Sequence, residues 1–208
     1  MNAARRPRGA LRVAIVDAAR DVFVEQGYDG ASISRIADAA STTKAAVYRH
    51  FDDKPALFEA AVVEPFEAVL RVFMNRWNER PVAELATAEL FDAFNTSVLG
   101  FVAEHRADVV TLLAAEQHNA EELRGIRRTF SELIGEVVAL VAADARERGW
   151  EHFDVEIATR STIAMVIGTA LLDPWLYGPT QRRPARARVA SELTRYQLNA
   201  TTERTRPR

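Results

Sequence analysis

The stretch STTKAAVYRHF, residues 41–51, decides the reading of this chain. It holds Lys44, one of only two lysines among 27 basic residues, set between small and polar neighbours. Val47 and Phe51 lie four apart and share one face of a helix. Thr42, Thr43, Lys44, Ala46, Tyr48, Arg49 and His50 are then left to point outward or to flank the first turn. A helix that enters the major groove of DNA needs small residues for close approach and donors that reach phosphates and base edges. The same pattern also suits a solvated surface helix.

Upstream, Ser32 is placed to cap a short helix whose Ile33, Ile36, Ala37 and Ala40 form one apolar face. Before it, Leu11, Ile15, Ala18, Ala19, Val22 and Phe23 recur at the helical period until Gly27 and Gly30 end the run. Downstream, Asp53 is an N-cap and Pro55 falls in a first turn, where its missing N–H does no harm. Two helices this short bury a core only when packed crosswise on the first, which is the helix-turn-helix arrangement. Their N-termini at Ser32, Thr43 and Asp53 offer backbone N–H groups to phosphate, although the Asp53 carboxylate repels it. Lys54, the second lysine, is placed to clamp the DNA backbone.

The rest also reads as helix. A long helix is expected from about 54 to 78, with Phe58, Val62, Phe66, Val69, Leu70, Phe73 and Trp77 on one stripe, closed by Pro81. Further helices are expected over 83–104, 107–118, 121–148 and 183–199. The segment 154–177 has so little polar face that it reads as one helix buried on most sides. No alternating strand pattern stands out, and the fold class is all-α.

Composition narrows the function. Zero cysteines exclude disulfides and thiol chemistry, and no apolar run is long enough to span a bilayer, so a cytoplasmic protein with no membrane partner is expected. Residues 1–54 carry nine Lys and Arg against seven Asp and Glu, residues 55–179 ten against twenty, and residues 180–208 eight against two. A mildly basic head on an acidic body suits contact with an anionic polymer through one end. His50, His105, His118 and His152 include no pair at the i, i+4 spacing of a helical metal site, and no nucleophile-elbow sequence is present. No enzyme activity, cofactor or metal is implied.

Residues 18–63 resemble the N-terminal domain of the TetR family of transcriptional regulators. The elements that carry the resemblance come in order: FVEQGY at 23–28, SISRIADAA at 32–40, TKAAVYRHF at 43–51 and DKPALF at 53–58. The resemblance implies that base and phosphate contacts fall on Thr42, Thr43, Lys44, Ala46, Tyr48, Arg49 and His50, with phosphate anchors at Ser32 and Lys54. Two departures stand out. Ser41 and Thr42 replace the usual Gly and apolar residue of the turn, and Ala45-Ala46 replaces the common Gly-Thr, which removes a hydroxyl at 46.

The expected organisation is a disordered basic leader over 1–9, a three-helix helix-turn-helix DNA-binding domain over 10–54, a helical effector-binding and dimerisation domain over 55–200, and a disordered tail over 201–208. Phe66, Phe73, Trp77, Phe94 and Phe101, with Gln117 and His118 as polar anchors, are candidates to line a mostly apolar effector pocket, or else belong to an ordinary core. The resemblance implies that such a pocket exists without naming its walls. Ile163, Ile167 and Leu171, with Val189, Leu193 and Tyr196 of the last helix, are candidates for a two-fold interface. A homodimeric repressor released from a palindromic DNA operator by a small, mostly apolar effector is the expected function. The alternatives are a helical interaction module with a degenerate head, and an all-α enzyme.

Overall fold

The computed structural model describes residues 8–79, 87–147, 149, 154–179 and 182–201. Its regular elements are helices: α1 (Arg8–Gly30), α2 (Ile33–Ala39), α3 (Lys44–Tyr48), α4 (Lys54–Phe58), a π-helical turn (Glu59–Val63), α5 (Glu64–Glu79), α6 (Thr87–Glu104), α7 (Arg106–His118), α8 (Arg124–Glu147), α9 (Val155–Leu171), α10 (Asp173–Leu176) and α11 (Arg186–Thr201). Arg8 and Gly9 are helical, so the expected leader is shorter than nine residues; residues 1–7 and 202–208 lie outside the described residues, as does His152.

Two compact units form. The first joins the described residues up to Glu67 with Ala107–Thr129; the second joins Ala68–Arg106 with the described residues from Phe130 onward. The expected boundary at 54/55 therefore does not follow the burial pattern: α7 belongs with the head because its buried Asp108, Thr111 and Ala115 fall on one face, and Ala115, with Leu123 and Ile126, joins the core of α1–α4.

That core is aromatic at its centre. The Phe58 ring meets Phe23 and Tyr28 edge-on, each at 5.0 Å between centroids, and Phe23 and Tyr28 stack at 6.0 Å. Phe23, Phe58, Ile15, Ile36, Leu57 and Val47 are fully buried, and each such side chain contributes about 1.5–3 kcal/mol of transfer free energy. Polar links tie α1 to the α7 segment. Arg20 Nε donates to both carboxylate oxygens of Asp108 at 3.0 Å, and a terminal guanidinium nitrogen meets Oδ2 at 2.8 Å. The hydrogen bond to Asp108 raises the Arg20 pKa against the opposing effect of burial. The Tyr28 hydroxyl donates to Glu122 Oε1 at 2.7 Å; burial and that bond push the phenol above its usual range.

The long helix expected over 54–78 is interrupted by the π turn. Pro65 explains the break: it has no N–H to give the Ala61 carbonyl, and its ring crowds that oxygen. The wider turn accommodates this, with the Glu64 N–H donating to Glu59 O, five residues back. The helix expected over 154–177 is likewise two helices. Leu172 leaves the helical region at φ −92°, ψ 4°, and Pro174 sits in the first turn of α10. Nor is this segment buried all round. Thr159, Ile163, Val166 and Ala170 form one inward stripe, whereas Ile157 is 64% and Trp175 82% exposed.

In the second unit α6 packs on α11 and α9. Asn95, fully buried on α6, forms a reciprocal amide pair with Gln197 of α11 at 2.9 and 3.1 Å and also donates to Thr194 Oγ1 at 3.0 Å. A satisfied polar group at a helix contact fixes register, because a slip would strand it. Arg106 Nε donates to the Leu171 carbonyl at the end of α9, at 3.1 Å.

The Arg20–Asp108 pair predicts an asymmetry. Its carboxylate is 4% exposed and its guanidinium 38%, so Arg20→Ala, which takes a charged donor from a buried carboxylate, costs about 3 kcal/mol, and Asp108→Ala, which leaves a part-hydrated arginine, about 1 kcal/mol. Urea unfolding of the two variants measures it; equal losses would contradict it.

Candidate functional site

Every short helix of the head starts on a side-chain cap. The Arg35 N–H donates to Ser32 Oγ at 3.3 Å, the Ala46 N–H to Thr43 Oγ1 at 3.1 Å and the Ala56 N–H to Asp53 Oδ1 at 2.8 Å. The hydroxyl of Thr43 is thus engaged in holding the start of α3, and Val47 and Phe51 anchor the opposite side in the core. Thr43, Lys44, Ala45, Tyr48 and Arg49 are exposed, and Thr42 and His50 are half-buried. Tyr48 keeps 46% of its surface in solvent, and the Lys44 ammonium lies 5.9 Å from its ring centroid. The result is a compact outward face of one ammonium, one guanidinium, one phenol and small side chains.

Ala46, expected on that outward face, is only 3% exposed. It precedes Val47 on the helix and turns with it toward α2, so Ala45 takes the outward place. Lys54, expected as a phosphate clamp, is half-buried with its ammonium 4.3 Å from the Tyr28 ring centroid. This cation–π contact leaves the charge at the start of α4 and fixes its direction.

The turn between α2 and α3 carries a backbone feature that sequence departures foreshadow. Ser41 has φ 51° and is the non-glycine residue with positive φ among those described. Its N–H donates to Asp38 O at 3.0 Å, and the Thr42 N–H to Ala37 O at 2.9 Å, which closes α2 and turns the chain into α3.

The second unit contains a cavity of about 420 Å³. Phe73 and Trp77 of α5, Phe91 and Phe94 of α6, and Val137 and Val141 of α8 form much of its wall. Thr159, Ile163 and Met165 of α9, with Tyr196 and Gln197 of α11, complete it. Phe73 meets Trp77 at 5.3 Å and Phe94 at 5.0 Å, both edge-on. Of the residues expected at a pocket, Phe73, Trp77 and Phe94 come together here. Phe101 instead lines a wider depression between α5 and α6, of about 880 Å³, and Phe66 is buried in the first unit. Gln117 and His118 are exposed and belong to the first unit: Gln117 falls opposite the buried Asp108, Thr111 and Ala115 stripe of α7, and His118 is the last residue of that helix.

Ile163 and Tyr196, expected at a two-fold interface, line the cavity, although Tyr196 keeps 66% exposure. Ile167, Leu171, Val189 and Leu193 are half-buried within one chain. The α9 and α11 contributions to the cavity were missed because their apolar stripes look the same whether they face a cavity, a core or a partner. Among the described residues no group of three His, Cys, Asp or Glu side chains could hold a metal ion, and no helix is long and apolar enough to cross a membrane.

Comparison with known proteins bears on the head most directly. The family model for bacterial regulatory proteins of the tetR family matches residues 15–61. Residues 15–61 are a TetR-family N-terminal domain. Relatives of the chain include the transcriptional repressor BepR of Brucella suis, 26% identical over 177 residues that cover 80% of this chain and 81% of BepR. IcaR of Staphylococcus aureus, a negative transcriptional regulator of a biofilm operon, is 35% identical over 65 residues, 31% of this chain and 35% of IcaR. The fatty acid degradation regulator FadR of Bacillus halodurans shares the fold with a TM-score of 0.71 at 19% identity, over 98% of this chain and 100% of FadR.

Within this TetR-family domain the left-handed Ser41 predicts a gain. L-residues are strained there by about 1–2 kcal/mol, and glycine is not, though it loses more backbone entropy on folding. Ser41→Gly therefore raises stability by about 0.5–1 kcal/mol, or about 1–4 °C in Tm for a chain of this size. Calorimetry checks this; an unchanged or lowered Tm would contradict it.

Proposed function

We propose that this protein is a homodimeric, ligand-responsive repressor that binds a pseudo-palindromic DNA operator. The observation that carries the reading is the outward face of α3. Lys44, Tyr48 and Arg49 project from a helix whose other side is locked into the core and whose exposed residue between them, Ala45, is small enough for close approach to base edges. Thr42, Thr43 and His50 flank it, and the capped helix starts at Ser32 and Asp53 supply positioning contacts to phosphate. Lys54 contributes its charge from its place over Tyr28. Ala46 takes no part in direct contact, being buried. The names of BepR and IcaR support repression as the sign of regulation.

The aromatic cavity of the second unit is the effector site in this reading. Its volume and its apolar wall suit a small organic molecule. The chain passes between the two units inside α5, at the start of α7 and inside α8, which are the covalent routes from cavity to head. An effector weakens operator binding only by the difference in its affinity for the two conformations, and the operator weakens effector binding by the same factor. Ile157, Leu172, Trp175 and Leu176 are exposed and Ile167, Leu171 and Leu193 half-buried, which leaves apolar side chains of α9, α10 and α11 for a second copy to cover.

Selection from a random duplex library, followed by anisotropy titration of the recovered sequence, tests the proposal. Lys44→Ala and Tyr48→Ala each cost about 1–3 kcal/mol of specific affinity, with the fold retained by circular dichroism. Variants that bind the selected duplex as tightly as the parent would exclude α3 as the reading element.

A further inference from the structure

Trp77 is 3% exposed on α5, and its indole Nε1 is buried without a hydrogen-bond acceptor. A buried donor with no protein partner is uncommon and unfavourable, and it is satisfied by a water or by a ligand atom. The indole is also a wall shared by the 420 Å³ cavity and the 880 Å³ depression between α5 and α6, as is Phe73, its edge-on neighbour. The cavity has a second spare donor. Gln197 Nε2 carries two hydrogens, of which Asn95 Oδ1 receives one, and Gln197 lines the cavity. The other polar side chains on its wall are hydroxyls, of which Thr159 already donates to Val155 O at 2.7 Å. Among the described residues no lysine, arginine, aspartate or glutamate lines it.

From this arrangement we infer that the cavity selects an uncharged, largely apolar molecule bearing a carbonyl-type hydrogen-bond acceptor, and that Trp77 is the residue that recognises the acceptor. The inference rests on the effector-site reading of this cavity and deepens it. Two neutral donors in an aromatic enclosure satisfy a carbonyl oxygen. They do not replace the hydration of a carboxylate, which with no cation among the described residues of the wall is disfavoured by its desolvation cost. A hydrocarbon of equal shape fills the space and leaves the indole N–H unpaired, so it binds more weakly than the ketone. Specificity of this kind comes from the unpaired polar group of the site as much as from the ligand.

Three probes on one skeleton test it: diphenylmethane, benzophenone and diphenylacetate, titrated by calorimetry against the full chain and its Trp77→Phe variant. Phenylalanine keeps an aromatic wall and removes the donor. The expected result is benzophenone binding the parent about 3- to 10-fold more tightly than diphenylmethane, with diphenylacetate weakest and the ketone advantage lost in Trp77→Phe. The indole resonance of Trp77 in a ¹⁵N-labelled sample, assigned by its loss in the variant, moves with benzophenone and not with diphenylmethane. Equal binding of ketone and hydrocarbon, a preference for the carboxylate, an advantage that survives in Trp77→Phe, or binding of none of the three each overturns the inference. Operator binding by the parent chain is measured separately, so failure here leaves the regulator reading standing, and loss of operator binding would remove that reading instead.

Discussion

Helices of seven and five residues do not stand alone. Isolated segments shorter than about 12–15 residues are marginal in water, and α2 and α3 are well below that. They exist because Phe58, at the end of α4, brings its ring against Phe23 and Tyr28 of α1 and completes a core into which Ile36, Val47 and Phe51 insert. That one aromatic cluster fixes where α3 sits. It also explains the division of labour along α3, since each residue used to anchor the helix is one that cannot touch DNA. Ala46 falls on the anchoring side and Ala45 on the other.

The head has a second support that lies far away in sequence. Asp108 and Glu122 reach back to Arg20 and Tyr28, so a segment from the middle of the chain closes the core of the N-terminal helices. A cavity in the second unit and an outward helix in the first are therefore joined by a chain that crosses between them three times. A regulator in which effector and operator compete needs such connections, because the coupling is no larger than the difference the effector makes between two conformations.

Much of this was legible in the sequence. The three caps at Ser32, Thr43 and Asp53 and the inward Val47 and Phe51 follow from local chemistry, where one residue type has one strong use, and the turn at Ser41 was marked by its departure from the family's usual glycine. The order of motifs over residues 18–63 pointed to the family. What lay beyond reach depended on distant partners. The apolar pattern of α9 could not say whether Ile163 faces a cavity or another chain, and nothing local showed that Asp108 would draw α7 to the head. The breaks near Pro65 and Leu172 were signalled by Pro65 and Pro174, yet the strength of the apolar stripe argued for continuous helices; the backbone N–H that proline lacks prevailed. Gln117 and His118 looked like polar anchors in a pocket, but α7 belongs to the first unit and the cavity to the second.

The central claim is that two copies of α3 read one duplex together. The most direct measurement is the stoichiometry and spacing dependence of binding to the selected palindrome. Two chains should bind each duplex with the half-sites about one helical turn or a multiple of it apart, and inserting about half a turn, roughly five base pairs, between them should abolish specific binding because the second recognition helix then faces the wrong side. Binding of a single chain per duplex, indifferent to that insertion, would contradict the account.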